Sequence, residues 1–281
     1  MFKLTGFGDE ISFYLEEQMD VLESEGIKHI ELRAVGAKGV LDLNNKDIKE
    51  IKEQLDARGF AISAIASPIG KIGIEDDFAP HLERFKKAMH VAHAFETPYI
   101  RLFSYYIPAG EDPAKYRSEV MRRMAKKAEL AEKENIIILH ENERDIYGNT
   151  GERCQDILQT VNSPNLKAIF DFGNFVVERQ KPFTQCFEKL VDYIVYVHIK
   201  DVKWVGEKAV ITPAGEGEGE IKEGLTALKE RGYEGFLSLE PHLYIAAASS
   251  GFSGPALFKT AAQALKRILL EIQAEVSPPL T

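Results

Sequence analysis

Short apolar runs alternate eight times with longer segments in which apolar residues recur at helical spacing. Runs of this length suit single β-strands, and the strands are predicted over Lys3 to Phe7, His29 to Arg33, Ala61 to Ser67, Tyr99 to Phe103, Ile136 to Asn142, Leu166 to Asp171, Tyr193 to Lys200 and Gly235 to Glu240. Eight alternating units in a chain of 281 residues favour a closed (β/α)8 barrel, an α/β fold, over an open doubly wound sheet.

The segments between these runs are predicted to be covering helices. From Tyr116 to Asn135, apolar residues recur on one side of a helix and basic residues fall on the other. The last segment, Pro255 to Glu275, carries an apolar stripe that is predicted to close the outer ring, formed by Phe258, Ala261, Ala262, Leu265, Ile268, Leu269 and Ile272. No linker rich in Pro, Gly or Ser divides the chain, so we predict one barrel domain over residues 1–276 and a frayed tail over residues 277–281.

Composition narrows the classes of function. Apolar residues make up 44% of the chain, but no run is long enough to cross a bilayer, so a membrane protein is not expected. A formal net charge of −9 disfavours nucleic acid as a partner, because nonspecific affinity comes mostly from Lys and Arg neutralising phosphates. The N-terminus lacks the pattern of a secretory signal, and Cys154 and Cys186 have neither a metal-cluster nor a disulfide spacing. These features predict a cytoplasmic protein.

Four polar side chains stand at the ends of four successive apolar runs: Glu141, Asp171, His198 and Glu240. They are 30, 27 and 42 residues apart, and a strand with its returning helix needs about 30 residues or more. In a barrel of this kind the C-terminal strand ends meet at one mouth, where the chemistry is located. Three carboxylates and an imidazole gathered there would form a site for one divalent metal ion.

Each of the four residues also has an ordinary structural explanation. Asp171 could begin a turn before Gly173, and an isolated buried histidine such as His198 is more often a hydrogen-bonded core residue than a ligand. Glu141 and Glu240 are harder to explain in this way, because a carboxylate that ends a buried strand must pair or bind a cation. We favour the joint metal interpretation.

The same runs carry a resemblance to a known family. The motifs IELR, LHEN, FDFGN, HIKD, PAGEGEGEI and LEPH, which extend over essentially the whole chain, resemble those of the xylose isomerase-like TIM barrels, a superfamily of sugar isomerases and epimerases that also contains endonuclease IV. The resemblance implies that the four residues match the family's metal ligands one for one. It also implies that the metal is usually manganese and sometimes magnesium, cobalt or zinc. One nitrogen and three carboxylates likewise suit Mn²⁺ or Zn²⁺.

The resemblance implies an isomerase or epimerase. A sugar that chelates the metal through a carbonyl oxygen and a neighbouring hydroxyl has an acidic C–H beside that carbonyl and can form a metal-bound enediolate. In the related ketose 3-epimerases, the glutamates that match Glu141 and Glu240 lie on opposite faces of the substrate, where one removes a proton and the other returns one. We therefore expect these two residues to be catalytic.

Two positions depart from the epimerase pattern, and four more are candidate substrate contacts. Asn174 stands where those enzymes have a histidine, and Trp204 stands where they have an arginine, so substrate contacts are expected to differ. Trp204 is predicted either to support a sugar ring or to pack against the next loop. Further candidate contacts, each of which could instead form an ion pair or a surface-loop contact, are Lys200, Arg101, Glu31 and His242.

Several alternatives remain open. A lyase would use the same enolate and then expel a leaving group, and a noncatalytic metal-stabilised sugar-binding protein would retain affinity without turnover. Endonuclease IV-like hydrolysis is disfavoured by the acidic charge and by the few matching histidines. The glycine-rich loop from Ala214 to Glu220 is predicted to be a lid or turn rather than a phosphate cradle, since its glutamates would oppose an anion. We expect a small carbohydrate as substrate, and a homo-oligomer is left open.

Overall fold

The computed structural model describes residues 1–243 and 252–277. Eight parallel strands form a nearly closed barrel, which confirms the predicted fold, and their bounds are β1 Lys3–Gly6, β2 His29–Leu32, β3 Ala61–Ile65, β4 Tyr99–Leu102, β5 Ile137–Glu141, β6 Leu166–Asp171, β7 Ile194–Ile199 and β8 Phe236–Leu239. The hydrogen-bonded order runs β1-β8-β7-β6-β5-β4-β3-β2. A parallel bridge between Phe7 and Glu31 then joins β1 to β2.

Helices surround the barrel, as the amphipathic segments predict. Their bounds are α1 Leu15–Ser24, α2 Asn45–Ala57, α3 Phe78–Ala94, α4 Arg117–Lys133, α5 Gly151–Val161, α6 Phe172–Val177, α7 Glu188–Leu190, α8 Ile221–Glu230 and α9 Gly254–Glu271. A π-helical segment, Pro182–Phe187, precedes α7. The helix predicted to end at Asn135 ends at Lys133, and the one predicted to end at Glu275 ends at Glu271. The apolar stripe of α9 packs onto the barrel, because its members from Phe258 to Leu269 are buried.

Two antiparallel hairpins were not predicted from the sequence. One pairs Ala34–Val35 with Lys38–Gly39 after β2, and the other pairs Asp201–Val205 with Lys208–Thr212 after β7. Only Lys200 separates the end of β7 from the start of the second hairpin at Asp201. The sequence therefore shows almost no break between the two strands. Both hairpins follow the C-terminal ends of their strands, and residues of the first, Ala34 and Gly39, line the cavity at the barrel mouth.

The barrel interior is packed below the mouth and polar at the mouth. Inside it lies a small apolar cluster of Ala64, Leu139, Ile169 and Tyr196. Alternate residues of a strand point to the same side, so the residues two positions after Leu139, Ile169 and Tyr196 also point inward, directly above this cluster. Those residues are Glu141, Asp171 and His198.

The C-terminal segment is tied to β1. Val276 forms a parallel bridge with Phe2, and the backbone N–H of Ser277 donates to the carbonyl oxygen of Phe2 at 2.7 Å. Ser277 is therefore bonded although we expect fraying to begin there, and residues 278–281 lie outside the described residues. Within residues 1–243 and 252–277, the helices are all too short or too polar to span a bilayer.

Candidate metal centre

Four side chains converge at the C-terminal ends of four adjacent strands. Glu141 and Asp171 are the last residues of β5 and β6, His198 is the penultimate residue of β7, and Glu240 directly follows β8. Each offers one ligand atom, and these atoms all lie within 4.8 Å of one another. All four side chains are buried. The structure thus brings together the four residues that the sequence predicts as metal ligands.

Nδ1 of His198 faces all three carboxylates. It lies 3.0 Å from Oε1 of Glu141, 3.4 Å from Oε2 of Glu240 and 3.7 Å from Oδ2 of Asp171. One ring nitrogen and three carboxylate oxygens therefore point at a common space. This is a donor set that suits a divalent cation, which would take the place of the proton on Nδ1.

The second oxygens of two of these carboxylates are held by other donors. Nη1 of Arg101 donates to Oε2 of Glu141 at 3.2 Å, and the backbone N–H of Asn174 donates to Oδ1 of Asp171 at 2.8 Å. The side-chain amide of Asn174 also donates to the carbonyl oxygen of Asn142 at 2.9 Å and lies 3.4 Å from Oε1 of Glu141. Such outer contacts fix the orientation of carboxylate ligands. Arg101 and Asn174, which the sequence predicts as substrate contacts, thus lie directly beside the proposed metal ligands.

Three cationic side chains surround the Glu240 carboxylate. Nζ of Lys200 donates to its Oε2 at 3.0 Å, while Nη1 of Arg33 and Nη1 of Arg101 lie 3.4 Å and 3.8 Å from its Oε1. Burial raises the pKa of Glu240, but the charges and hydrogen bonds beside it, of which the charge of Lys200 is the largest, together outweigh burial and bring the pKa well below its usual range. Burial likewise raises the pKa of Glu141, and the charges beside it bring that pKa below its usual range too. Both glutamates are therefore carboxylates at neutral pH.

The outer nitrogen of His198 is held by Glu31. Nε2 lies 3.2 Å and 3.1 Å from the two carboxylate oxygens of Glu31, and the hydroxyl of Ser238 donates to Oε2 of Glu31 at 2.6 Å. Burial lowers the pKa of His198, but the charges of Glu31 and Glu141 raise it well above its ordinary value. A carboxylate behind a histidine ligand sets the tautomer that leaves Nδ1 free for a metal. Glu31 is thus placed to orient His198, and it does not pair with Arg101.

Lys200 enters the space between two ligand oxygens. Its Nζ lies 2.9 Å from Oδ2 of Asp171 as well as 3.0 Å from Glu240. The contact with Asp171 lacks hydrogen-bond geometry, so this buried oxygen has no hydrogen-bond partner among the described residues. Burial raises the pKa of Asp171, and the charge of Lys200 offsets that rise only in part. An orphaned carboxylate oxygen within a set of one nitrogen and three oxygens fits a divalent cation.

His242 lies beside the cluster and is held by Glu10. Its Nδ1 lies 2.6 Å from Oε1 of Glu10, its backbone N–H donates to Oε2 of Glu10 at 2.8 Å, and its Nε2 lies 3.9 Å from Oε1 of Glu240. Glu10, Glu240 and His242 also form a group close enough to hold a metal ion. However, the Glu10 carboxylate is already bonded to His242, and Arg33 stands beside Glu240. We therefore describe this group as a hydrogen-bonded pair that lines the mouth.

Trp204 is not brought to this site. Its Nε1 donates to the carbonyl oxygen of Val176 at 2.8 Å, and the Arg179 guanidinium stacks 3.3 Å from the centre of its ring. It lines a separate recess formed with residues after β6, which contains none of the four ligand residues. The indole packs against the neighbouring loop because the unpredicted hairpin after β7 carries it away from the barrel axis.

A cavity of about 310 Å³ lies above the cluster. Lys200, Arg101, Glu240 and His242 contribute to its wall, together with residues that the sequence analysis did not select as contacts, namely Asp9, Arg33, Lys71, Arg84 and Glu143. Arg33 could have been found, because it directly follows β2 and ends the IELR motif. Asp9 carries no such signal, since it lies in the short 3₁₀ helix Gly8–Glu10 after β1, where it lines the cavity and pairs with Arg33.

The glycine-rich loop is a turn built around Asp201. The buried carboxylate of Asp201 accepts hydrogen bonds from the backbone N–H groups of Gly215, Gly217 and Gly219 at 2.8, 3.0 and 2.9 Å. A Cβ at Gly217 would lie 2.2 Å from Oδ1 of Asp201, so glycine is required there. The loop therefore does form an anion cradle, but its anion is a side chain of the same chain, which agrees with the prediction of a turn and not of a phosphate site.

Comparisons with known proteins agree with this architecture. The family model described as xylose isomerase-like TIM barrel matches residues 19–268. An uncharacterized protein of Methanocaldococcus jannaschii is 28% identical over 167 residues, which is 57% of this chain and only 56% of that protein.

Solved structures with the same fold include proteins described as epimerase-like and as a dehydratase. A D-tagatose 3-epimerase-like protein has a TM-score of 0.75 at 21% identity, covering 97% of this chain and 98% of that one. A probable 3-DHS dehydratase of petrobactin synthesis from Bacillus anthracis has a TM-score of 0.73 at 20% identity, covering 94% and 98%. The IOLI protein with a bound zinc atom has a TM-score of 0.73 at 18% identity, covering 96% and 98%. At these identities the likeness shows the shared fold.

Proposed function

Because the chain belongs to the xylose isomerase-like TIM barrel family, we propose that it is a divalent-metal-dependent sugar isomerase or epimerase. The observation that carries the proposal is the convergence of one imidazole and three carboxylates within 4.8 Å at the barrel mouth. A divalent cation held there by Glu141, Asp171, His198 and Glu240 would polarise a substrate carbonyl and make the neighbouring C–H acidic.

Glu141 and Glu240 are the proposed proton-transfer groups. They come from β5 and from the end of β8, and Nη1 of Arg101 lies between them, 3.2 Å from the first and 3.8 Å from the second. Both have a pKa below the usual range, so both are ionised and able to accept a proton at neutral pH. One would remove a proton beside the carbonyl and later release it to water. The other would first take up a proton from water and then deliver it to the carbon, and such proton transfer contributes about 10²–10⁴-fold to the rate.

We propose Mn²⁺ as the metal. The donor set contains one nitrogen and three carboxylates and no thiolate, which suits Mn²⁺, with Mg²⁺, Co²⁺ and Zn²⁺ as alternatives. The two cysteines, Cys154 and Cys186, are buried free thiols, which supports the proposal that the protein works in the reducing cytoplasm.

Elimination of a leaving group is the second candidate reaction. Two N–H donors flank Glu240 at the cavity wall, since Nζ of Lys200 lies 3.0 Å and Nε2 of His242 lies 3.9 Å from its carboxylate. Donors in this position could hold a hydroxyl that departs after proton removal. The shared fold with a probable dehydratase also supports this candidate.

Solvent-deuterium exchange separates these functions. The purified protein would be incubated with Mn²⁺ and a panel of ketoses and acid sugars in D₂O, and recovered material analysed by NMR and mass spectrometry. Label in recovered or isomerised sugar identifies an isomerase or epimerase, and loss of water identifies a lyase. Binding without exchange or product for every compound would leave a sugar-binding protein and refute the catalytic proposal.

Two substitutions test the proton-transfer roles. Glu141→Gln and Glu240→Gln are each expected to abolish exchange at saturating Mn²⁺, with metal content checked by elemental analysis because both residues are also proposed ligands. Glu143→Gln is the matched control, since Glu143 lines the same cavity but pairs with Lys71 at 3.1 Å. Undiminished exchange in both ligand variants would remove the proposed roles.

A further inference from the structure

We infer that Asp9 and Arg33 together bind one hydroxyl group of the substrate; this inference rests on the proposed function and adds two specificity-determining residues to it. Both side chains line the cavity above the metal centre. Asp9 lies in the 3₁₀ helix Gly8–Glu10 after β1, and Arg33 directly follows β2. The two residues form an ion pair at the cavity wall, which we call the Asp9–Arg33 pair.

The Asp9–Arg33 pair makes only one of the two hydrogen bonds that its groups could share. Nε of Arg33 donates to Oδ2 of Asp9 at 2.7 Å. The second carboxylate oxygen, Oδ1 of Asp9, and the terminal nitrogen Nη2 of Arg33 are buried and have no hydrogen-bond partner among the described residues. Each of these atoms is two covalent bonds from an atom of the existing hydrogen bond. One acceptor and one donor are therefore left open on the same ion pair.

Two other ion pairs of this protein show the complete form of the contact. Nε and Nη2 of Arg117 donate to the two carboxylate oxygens of Asp156 at 2.8 and 2.6 Å. Nε and Nη2 of Arg122 likewise donate to the two oxygens of Glu119, both at 2.7 Å. Two parallel hydrogen bonds are frequent between arginine and a carboxylate. Neither complete pair lines the cavity, whereas the incomplete Asp9–Arg33 pair does.

Other contacts orient the Arg33 guanidinium in this incomplete pair. Its Nη1 lies 3.4 Å from Oε1 of Glu240, and its central carbon lies 4.7 Å from the centre of the Phe7 ring. A guanidinium that is already oriented loses little entropy when a ligand binds to it. The contact with Glu240 also places the open donor and acceptor beside the proposed metal centre.

A hydroxyl group supplies both missing partners, because its oxygen can accept from Nη2 of Arg33 while its hydrogen is donated to Oδ1 of Asp9. A carbonyl or ether oxygen would satisfy only the donor. An anionic oxygen would also satisfy only the donor, and the open carboxylate oxygen would repel it. A buried donor or acceptor without a partner is unfavourable, so a ligand group that completes both bonds is favoured over one that completes a single bond.

The charges of the cavity wall agree with a neutral group at this position. Each of the five cationic side chains in the wall is already paired with a carboxylate, in the pairs Arg33–Asp9, Arg101–Glu141, Lys200–Asp171, Lys71–Glu143 and Arg84–Asp42. A hydroxyl changes none of these charges.

Titration calorimetry of the Mn²⁺-loaded protein with the four D-ketohexoses, fructose, allulose, sorbose and tagatose, tests the inference. The sugar that binds most tightly is then compared with its deoxy analogues, each of which lacks one hydroxyl. We expect removal of the hydroxyl that the Asp9–Arg33 pair binds to weaken binding by about 10–100-fold, as loss of a hydrogen bond to charged groups does. Failure of every ketohexose to bind would overturn the inference.

Variants identify which hydroxyl is bound by the Asp9–Arg33 pair. In Asp9→Ala and in Arg33→Met, the loss of affinity caused by one and the same deoxy position should fall below about threefold, because the partner of that hydroxyl is gone. Asp9→Asn and Arg33→Lys are milder changes that each keep one acceptor or donor, and each should reduce the same loss in part. Metal content and thermal unfolding verify that the variants are folded.

Arg84→Gln is the matched control, because Arg84 lines the same cavity but is 53% exposed and lies 3.7 Å from Asp42. It should leave the effect of every deoxy position unchanged. A merely structural role of the Asp9–Arg33 pair would weaken the parent sugar and all its analogues equally. That result, or a different deoxy position affected by each of the two residues, would overturn the inference.

The two proposals can fail separately. Exchange of deuterium into a ketose, with deoxy effects that do not depend on Asp9 or Arg33, would keep the isomerase and remove the hydroxyl site. A deoxy effect that depends on both residues, with no exchange or product from any compound, would keep the hydroxyl site and remove the isomerase.

Discussion

Nζ of Lys200 lies 2.9 Å from Oδ2 of Asp171, inside the ring of proposed metal ligands. The same ammonium lies 3.0 Å from Glu240, so it pairs with two of the three proposed ligand carboxylates. A divalent cation bound to those oxygens would stand only a few ångströms from Nζ, and the two positive charges would repel each other. We therefore expect metal binding to displace Lys200 from these oxygens.

Lys200→Met is expected to raise the affinity for Mn²⁺ by about tenfold or more, because the metal no longer has to displace a competing cation. Calorimetric titration of the metal-free variant measures this. Lys71→Met is the control, since Lys71 lines the same cavity but pairs with Glu143, which is not a ligand. An affinity equal to or below that of the unsubstituted protein would show that Lys200 does not compete with the metal.

Glu31→Gln is expected to weaken metal binding by about 10–100-fold, as substitutions behind a metal-bound histidine commonly do. The carboxylate accepts from Nε2 of His198 and so stabilises the tautomer that leaves Nδ1 for the metal. Glu10→Gln is the control, because Glu10 is also buried at the mouth but holds His242, which is not one of the four proposed ligands. Unchanged affinity in Glu31→Gln, or a larger loss in Glu10→Gln, would point to a different ligand set.

Lys127→Met is expected to stabilise the protein. Lys127 is fully buried on α4, and its Nζ has no hydrogen-bond partner among the described residues. Burial, with a smaller effect from Arg123, lowers its pKa to about 7. In the unfolded chain the pKa returns to 10.5, so the unfolded state binds the additional proton between these values. At pH 7 this difference in pKa lowers the free energy of unfolding by at most about 5 kcal/mol.

The pH dependence distinguishes this cause from altered packing. The stabilisation by Lys127→Met should be largest at about pH 7 and below, and should shrink as the pH rises towards 10.5, because the unfolded lysine then also loses its proton. Urea unfolding across that range measures it. Lys126→Met, on the exposed side of the same helix, should change stability by less than about 1 kcal/mol. A stabilisation by Lys127→Met that does not vary with pH would indicate that improved packing, and not the buried charge, is its cause.

Asp201→Asn is expected to destabilise the protein by about 2–4 kcal/mol. The asparagine amide has only one acceptor oxygen for the backbone N–H groups that donate to the carboxylate. Its NH₂ group would instead face some of those donors. Urea unfolding measures the loss, and proteolysis within residues 214–220 should become faster. Asp192→Asn is the control, because the side chain of Asp192 is 88% exposed. Equal stability of the two variants would mean that the loop does not depend on Asp201.

The sequence determined the barrel and the convergence of its four proposed metal ligands. The cluster was predicted from the positions of its residues at the ends of successive apolar runs. Strand periodicity explains why Glu141, Asp171 and His198 point inward, two residues beyond interior apolar residues. Closure of eight parallel strands then brings their C-terminal ends to one mouth whatever the intervening helices contain. Local pattern and topology were sufficient for these residues.

Only the tertiary structure decided how these residues are partnered. Arg33 reaches Glu240 across 207 residues of chain, Glu10 holds His242, and Asp201 occupies the glycine-rich loop. Trp204 lies outside the cavity because a hairpin that the strand pattern did not reveal carries it away. The physical reason is that strand orientation follows from neighbouring residues, whereas an ion pair depends on where distant side chains meet after the barrel has closed.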